Sequence, residues 1–284
     1  MYTITGVTGH VGSVAAQTLL AQGKQVRVFV RDAAKGEPWK QQGAEVALGT
    51  FHDHAALVRA FTGVEGAFVL VPPAEALAAA DPIAHNVDTA RKIAAAVREA
   101  KLPHVVLLSS AGAQHPDGTG PIKALHHAEK LLAATGAAVT AVRAAYFQEN
   151  WASSLGALAQ NILPTFVPKA LRYPQVATTD IGRTVATMLV EGGRGVRHVE
   201  LAGPRDYTGD DVAGELSKQL GRPIAAVDVP IEQAVPTLTS VGVPAASAAL
   251  FAEMYAGIIS GLVAFEGTPR RGTVEVGTTL ASLR

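Results

Sequence analysis

Short apolar runs alternate with longer amphipathic stretches through the first half of the chain. The runs at residues 3–5, 25–30, 44–46, 66–71, 104–109 and 138–142 are rich in β-branched and other apolar residues, as strands are. The intervening stretches at 11–22, 54–61, 82–100 and 121–133 predict helices. Short apolar strands separated by helices predict an α/β fold: a doubly wound parallel sheet with helices on both faces.

The second half of the chain is less regular and is interrupted by prolines. Helices are predicted at 148–159, 179–191, 209–220 and 245–263, and a strand at 197–202. We find no internal repeat and no clear linker. The pattern predicts a dinucleotide-binding Rossmann core over 1–145 and a smaller C-terminal α/β lobe over 146–284. Within that lobe, the segment 179–203 is expected to return to the core sheet.

Composition narrows the classes of partner. The chain has 284 residues, and its 24 basic and 24 acidic side chains give a formal net charge of +0. Because nucleic-acid binding needs a basic excess, we expect no nucleic-acid partner. The absence of cysteine excludes disulfides and thiol nucleophiles and fits a reducing compartment. We see no signal peptide and no uncharged apolar run of roughly 20 residues, so we expect a cytoplasmic protein with no membrane partner.

The stretch "ITGVTGHVGS" (4–13) places three glycines between the first strand and the first helix. Gly6 would permit a tight turn, Gly9 a close approach of the backbone to a pyrophosphate, and Gly12 the packing of helix against strand. The first helical N–H groups and the positive end of the helix dipole favour an anion there. The spacing G-x-x-G-x-x-G is weaker than G-x-G-x-x-G, but a strand precedes it and a helix follows. A glycine turn without a ligand is the alternative.

The end of the second strand indicates which dinucleotide is bound. A carboxylate there accepts the ribose 2′-hydroxyl of NAD, whereas an arginine accommodates the 2′-phosphate of NADP. The chain reads "VFVRD", with Arg31 before Asp32 and with Lys35 nearby. A guanidinium matches phosphate geometry, so we predict a preference for NADPH, with NAD also possible. A solvated Arg31–Asp32 pair is the alternative interpretation.

The ordered set of motifs resembles the NmrA-like family, within the atypical short-chain dehydrogenases/reductases. The motifs are "ITGVTGHVG", "VRVFVRD", "AFTGVEGAFVLVPP", "LPHVVLLSSAG" and "VRAAYFQENW", followed by "TTDIGRTVATML", "VELAGPRDYTGDDVAGELSKQLGRPI" and "EMYAGIISG". Together they cover nearly the whole chain. The family includes NADPH-dependent quinone oxidoreductases, azo- and aromatic-ether reductases, and NADP-sensing regulators without catalytic activity.

The resemblance implies positions for the cofactor and the substrate. It implies that the diphosphate is contacted by Thr8, Gly9, His10, Val11 and Gly12, and that the 2′-phosphate is contacted by Arg31. In the loop that it places beside the adenine, Asp53 keeps the family pattern, whereas Phe51 and His52 depart from it. Further along the cofactor it implies Val71, Pro72, Pro73, Ser109 and Ser110. Around the nicotinamide and the substrate it implies Tyr146, Phe147 and Asn150, and we add the adjacent Trp151 to this substrate-pocket set.

The expected proton donor is missing. Many short-chain dehydrogenases carry Tyr-x-x-x-Lys, whose i, i+4 spacing places both groups on one helix face. No tyrosine lies between 112 and 135. Family reductases often place a lysine or histidine four residues before a glutamate, and here that position, counted from Glu129, is Leu125. His126 and Tyr146 are the weak catalytic candidates, although a solvated helix face and a packed aromatic ring are the plainer interpretations.

This departure bears on the reaction. Carbonyl chemistry needs a proton delivered to oxygen, whereas a reduced quinone can take its proton from solvent. We therefore predict an NADPH-dependent reductase of a small hydrophobic electrophile, with a quinone as the leading candidate. The alternative is a non-catalytic NADP-sensing regulator that binds a protein partner. We expect no metal, although "HDH" (52–54) carries two possible ligands, and we expect a monomer or a homodimer.

Overall fold

The computed structural model describes residues 1–283, except for the side chains of residues 73 and 74. Its strands are β1 (Tyr2–Thr5), β2 (Val26–Val30), β3 (Glu45–Leu48), β4 (Gly66–Val69), β5 (His104–Ser110), β6 (Ala138–Ala144), β7 (Tyr146–Phe147), β8 (Ile162–Thr165), β9 (Tyr173–Val176), β10 (Val196–Ala202), β11 (Asp206–Tyr207), β12 (Ala225–Asp228) and β13 (Arg270–Arg271). Eight of them form one sheet in the order β13-β10-β6-β5-β4-β1-β2-β3. All neighbours in this sheet are parallel.

Helices cover both faces of the large sheet. They are α1 (His10–Ala21), α2 (Ala33–Gln41), α3 (His54–Phe61), α4 (Pro73–Leu77), α5 (Pro82–Glu99), α6 (Lys123–Ala133), α7 (Thr178–Glu191), α8 (Gly209–Leu220), α9 (Ala234–Ser240), α10 (Ala245–Ser260) and α11 (Val276–Ser282). Helices α1 and α7 pack together in the core of one face, and α3, α5 and α6 in the core of the other. The predicted doubly wound parallel sheet is confirmed.

A smaller group of elements has its own apolar core. Strands β8 and β12 pair in parallel, and β7, β9 and β11 form a separate three-stranded sheet. The core between β8, β12, α8 and α11 includes Trp151, Leu163, Tyr207, Leu216 and Leu280. Helix α7 and strand β10 come from the same C-terminal half of the sequence as these elements. Nevertheless, α7 packs against the large sheet and β10 pairs with β6 within it.

The strand order positions the ligand-binding edge of the sheet. The chain runs outward from β1 to β3 on one side and then crosses back to β4 on the other side of β1. Ligands of open parallel sheets bind beyond the carboxyl ends of the strands at such a reversal. The segments after β1, β2, β4, β5 and β6 all meet at this edge.

Several elements differ from their prediction or were not predicted, among them the short helices α4, α9 and α11 and the strands β8, β9 and β12. Helix α2 was not predicted, because its sequence AAKGEPWKQ carries a proline and buries only Gly36 and Trp39. The segment predicted as a helix at 148–159 is a 3-10 helix over Gln148–Gln160. Among the described residues, no helix is both long and apolar enough to cross a bilayer.

Candidate active site

The glycine turn packs as tightly as its composition requires. Gly6 has a φ of +63°, a conformation that only glycine adopts readily, and a Cβ there would lie 2.5 Å from Leu70 Cδ2. A Cβ on Gly12 would lie 2.4 Å from the Gly6 carbonyl oxygen and 3.0 Å from that of Thr5. Gly12 therefore lets the first turn of α1 rest directly on the end of β1.

The start of α1 faces outward and carries no side-chain cap. Its N-cap is Gly9, and no side chain there accepts a hydrogen bond from the first turn. Thr8, Gly9 and His10 are exposed, while Val11 is buried in the core. No acidic residue lies in the first turn. An exposed, uncapped N-terminus beside a bare glycine backbone fits a dinucleotide diphosphate.

The end of β2 carries an exposed arginine that already has a partner. The Arg31 guanidinium donates to Glu75 of α4, with 3.1 Å between Nη1 and Oε1. Asp32 is the N-cap of α2 and accepts from the Ala34 N–H at 2.9 Å. The Asp32 carboxylate is thus used locally by the helix, whereas the side chains of Arg31 and Lys35 are both exposed.

The loop after β3 is built around a helix cap. Asp53 is the N-cap of α3 and accepts from the Ala56 N–H at 2.9 Å. His52 lies 3.4 Å from Glu75 through its Nε2 and 3.0 Å from Lys92 Nζ through its Nδ1. His52, Glu75 and His85 bring three possible metal ligands within 4.8 Å of one another. The expectation of no metal is therefore untested, although Arg31 and Lys92 already engage two of these groups.

A cavity of about 570 Å³ lies beyond the carboxyl ends of β4, β5 and β6. Six predicted site residues line it, and they come from the ends of these three strands and the segments after them: Val71, Ser109, Ser110, Tyr146, Phe147 and Asn150. Helix α10 closes the opposite side with Met254, Ile258 and Ile259. The lining is mainly apolar, which suits a hydrophobic organic ring.

Tyr146 and Tyr173 line the β7 side of the cavity together with the polar side chains of Asn150 and Arg172. The rings of Tyr146 and Tyr173 meet edge to face, with 5.7 Å between centroids. Burial, followed by the nearby Tyr255 and Tyr173, raises the pKa of Tyr146 well above its usual value. Burial likewise raises the pKa of Tyr173 and of Tyr255. These phenols stay neutral, so they can donate hydrogen bonds but are poor proton donors at neutral pH.

A buried ion pair fixes the floor of the cavity below Ser109. The Ser109 hydroxyl donates to Glu129 Oε1 at 2.6 Å, and Arg143 donates to both Glu129 oxygens at 3.0 and 2.8 Å. Arg143 also pairs with Glu266. Burial alone would raise the pKa of Glu129, but the bonds from Arg143 and Ser109 outweigh it and lower that pKa. The Ser109 hydroxyl is thus committed to the protein.

The residues around the expected proton-donor position face different surroundings. Leu125 lines the cavity. His126 is buried outside the described lining, with its Nδ1 2.9 Å from the Ala113 carbonyl oxygen. Lys123 pairs with Glu253 at 2.9 Å, and His127 is exposed. In the described part of this helix, the apolar side chain of Leu125 occupies the position at which the resemblance predicted a base.

Two predicted residues near the pocket lie elsewhere. Trp151 packs in the core of the smaller group of elements, and its indole N–H donates to Gln175 at 2.8 Å. It therefore supports the pocket from behind. Pro72 is the N-cap of α4 and is absent from the described lining, and the side chain of Pro73 lies outside the described residues.

Several residues around the site carry no clear signal in the sequence. Tyr173 and the α10 residues line the cavity although they follow β6 by 29 to 115 positions. Glu75 contacts Arg31 from a five-residue helix that no periodicity marks. The one available signal was the apolar stretch "EMYAGIISG", whose place against the cavity depends on the tertiary fold.

The sheet order and the glycine turn at the switch point define a Rossmann-like α/β protein. The chain belongs to the NmrA-like family, whose sequence model matches residues 2–260. The predicted family is thus confirmed.

Curated relatives span most of the chain. The NAD(P)H azoreductase of Xenophilus azovorans is 26% identical over 260 residues, covering 90% of this chain and 86% of the relative. Quinone oxidoreductase 2 of Escherichia coli is 28% identical over 266 residues, covering 92% of this chain and 89% of the relative. The structure of the NADPH-dependent quinone oxidoreductase of Escherichia coli with NADPH has a TM-score of 0.86 and 24% identity, and the match covers 100% and 99% of the two chains. This likeness supports the fold.

Proposed function

We propose that the chain is an NADPH-dependent oxidoreductase that reduces a small hydrophobic electrophile, a quinone first among them. The apolar cavity at the strand ends, at the same edge of the sheet as the open N-terminus of α1, is the observation that carries this proposal. Two curated relatives with NAD(P)H azoreductase and quinone oxidoreductase names support it, as does a fold shared with an NADPH-bound quinone oxidoreductase.

The residues of this chain would hold the cofactor along the edge of the sheet. The backbone at Gly9, His10 and Val11 would bind the diphosphate, and Arg31 with Lys35 the 2′-phosphate. Val71, Ser109 and Ser110 would lie beside the nicotinamide end, at the cavity. When bound, NADPH supplies the hydride, and the protein positions the acceptor against the cofactor.

The cavity then determines which acceptor can be reduced. Apolar side chains from β7 and α10 would hold a flat ring. The neutral Tyr146 hydroxyl, which is hydrogen-bonded to Tyr255 and Asn150, would turn to donate to an acceptor oxygen. The acceptor gains two electrons and one proton with the hydride, and its oxygen takes a second proton from solvent. Because a quinone needs no acid in the transition state, Leu125 at the usual base position is compatible with this reaction.

Acceptor-dependent oxidation of NADPH tests the proposal. Loss of reduced-cofactor absorbance is followed with benzoquinone, naphthoquinone and an aliphatic ketone, with NADH in parallel. We expect turnover with the quinones, little with the ketone, and higher kcat/KM with NADPH than with NADH. Binding of NADPH without turnover of any acceptor would instead support the regulator.

A tyrosine pair refines this test. Tyr146→Phe should raise KM for the quinone about three- to tenfold, since one hydrogen bond to the acceptor is lost. Tyr207→Phe is the matched control, because the Tyr207 hydroxyl donates to Glu275 at 2.6 Å, and Tyr207 packs in the smaller core and is absent from the described lining of the cavity. An equal effect of both variants on KM would remove Tyr146 from the site.

We propose that residues 1–145 bind the dinucleotide, that 146–284 complete the substrate pocket, and that 179–203 serve the core sheet. The enzyme would act in the cytoplasm as a monomer or homodimer on a small molecule, without a nucleic-acid partner. Light scattering of the purified protein, with and without DNA, tests the last two points.

A further inference from the structure

The arginine that the proposed function assigns to the cofactor phosphate, Arg31, already forms an ion pair with a carboxylate. Arg31 Nη1 and Glu75 Oε1 are 3.1 Å apart, and the other Glu75 oxygen is 3.4 Å from His52 Nε2. The Arg31 side chain is 70% exposed, whereas that of Glu75 is only 28% exposed. The acidic partner is thus the better anchored of the two.

Helix α4 holds Glu75 beside Arg31 at the end of β2. The buried Ser247 of α10 donates its hydroxyl to the carbonyl oxygen of Leu77, the last residue of α4, at 3.0 Å. Because α4 spans only five residues, this contact restrains the position of Glu75 as well. The carboxylate therefore remains near Arg31 when the long, exposed arginine side chain moves.

We propose that Glu75 is a specificity-determining residue that lowers the affinity for NADPH relative to NADH. This inference rests on the proposed function, with Arg31 as the phosphate-binding residue. A 2′-phosphate carries about −1.5 to −2 charges at pH 7, so it must displace Glu75 from Arg31 and is repelled by the remaining carboxylate. The 2′-hydroxyl of NADH has no charge and can donate a hydrogen bond to the same carboxylate.

The neighbouring charges do not cancel this effect. Lys92 Nζ contacts His52 at 3.0 Å, but it is also paired with Asp88 at 2.7 Å. Lys92 is thus already paired and does not neutralise Glu75, the carboxylate that contacts Arg31 in the described structure. Replacing Glu75 by a neutral residue would free the Arg31 guanidinium at the end of β2.

Direct binding of each cofactor to purified wild-type protein and to Glu75→Gln tests the proposal. Titrations follow the fluorescence of NADPH and of NADH without an acceptor, so that the measurement is independent of turnover. We expect Glu75→Gln to bind NADPH about three- to tenfold more tightly and NADH within about twofold of wild type. The gain should shrink in 0.5 M salt, because Arg31 is exposed and Glu75 is partly exposed, so that salt screens their interaction with the phosphate.

Glu45→Gln is the matched control. Glu45 pairs at 2.7 Å with Arg27, which lies on β2 four residues before Arg31. Glu45→Gln therefore removes an equal charge from a neighbouring arginine–glutamate pair. It should leave the binding of both cofactors within about twofold. An unchanged NADPH/NADH ratio in Glu75→Gln, or weaker NADPH binding, would overturn the role of Glu75. Failure of wild type to bind either cofactor would overturn the proposed function itself.

Discussion

At the residue scale, the glycines of one motif have separable roles. Gly12 is required by the fold, because any Cβ there would overlap the Gly6 carbonyl group. Gly9 has extended backbone angles that any residue adopts, and a Cβ there would meet only the Gly6 carbonyl oxygen, at 3.4 Å. Spacing along the sequence cannot distinguish these cases, since both residues occur in the same pattern.

This difference predicts opposite outcomes for two alanine variants. Gly12→Ala should lower the free energy of unfolding by about 1–3 kcal/mol, through overpacking against backbone. Gly9→Ala should keep stability within about 0.5 kcal/mol yet weaken NADPH binding about tenfold or more, because its methyl group obstructs the diphosphate. Urea unfolding and fluorescence titration measure the two quantities.

Gly214→Ala is the control, because a Cβ at this position of α8 would meet no atom within 4 Å beyond its chain neighbours and the adjacent backbone of its own helix. It should raise stability by about 0.5–1 kcal/mol, as expected for alanine in place of glycine in a helix. Unaltered NADPH affinity in Gly9→Ala would place the diphosphate elsewhere.

At the element scale, local signals set the helix boundaries while charges join distant elements. Asp53 and Asp81 cap α3 and α5, whose predicted and observed starts coincide. By contrast, the polar contacts between α6 and the strands β5 and β6 form inside the protein, where Glu129 accepts hydrogen bonds from Ser109 and Arg143. Periodicity placed Glu129 on a helix, but it could not identify these partners.

Glu129→Gln should therefore lower the free energy of unfolding by about 2–4 kcal/mol at pH 7, because it leaves the Arg143 charge buried without its main partner. Asp88→Asn, in an exposed pair with Lys92, should change it by less than about 0.5 kcal/mol. Chemical unfolding of both variants measures the difference. Equal effects would show that the buried pair contributes no more than an exposed one.

At the scale of the whole molecule, buried titratable groups link stability to pH. His104 begins β5, is 3% exposed, and contacts Thr140 Oγ1 at 3.0 Å. Burial, assisted by the charge of Arg197, lowers the pKa of His104 from 6.5 to about 4. The unfolded chain therefore binds a proton between these values while the folded protein does not.

Stability should be complete above about pH 6.5 and should fall by about 2–3 kcal/mol towards pH 4. Glu129 has a lowered pKa, so its contribution is lost at still lower pH, below about 4.5. His104→Leu should flatten the decline between pH 6.5 and 4, and the exposed His127→Gln should not. Unfolding free energies at half-unit pH steps test this, and equal slopes in wild type and His104→Leu would contradict it.

The sequence by itself determined the alternation of strands and helices, the parallel sheet, the glycine turn and the family. These features are local or periodic, because burial of one face imposes a fixed spacing on apolar residues and a tight turn requires glycine. Only the tertiary structure decided that α10 closes the cavity, that Trp151 faces the smaller core and that Glu75 reaches Arg31. Such contacts join residues distant along the chain, and their partners are set by how whole elements pack.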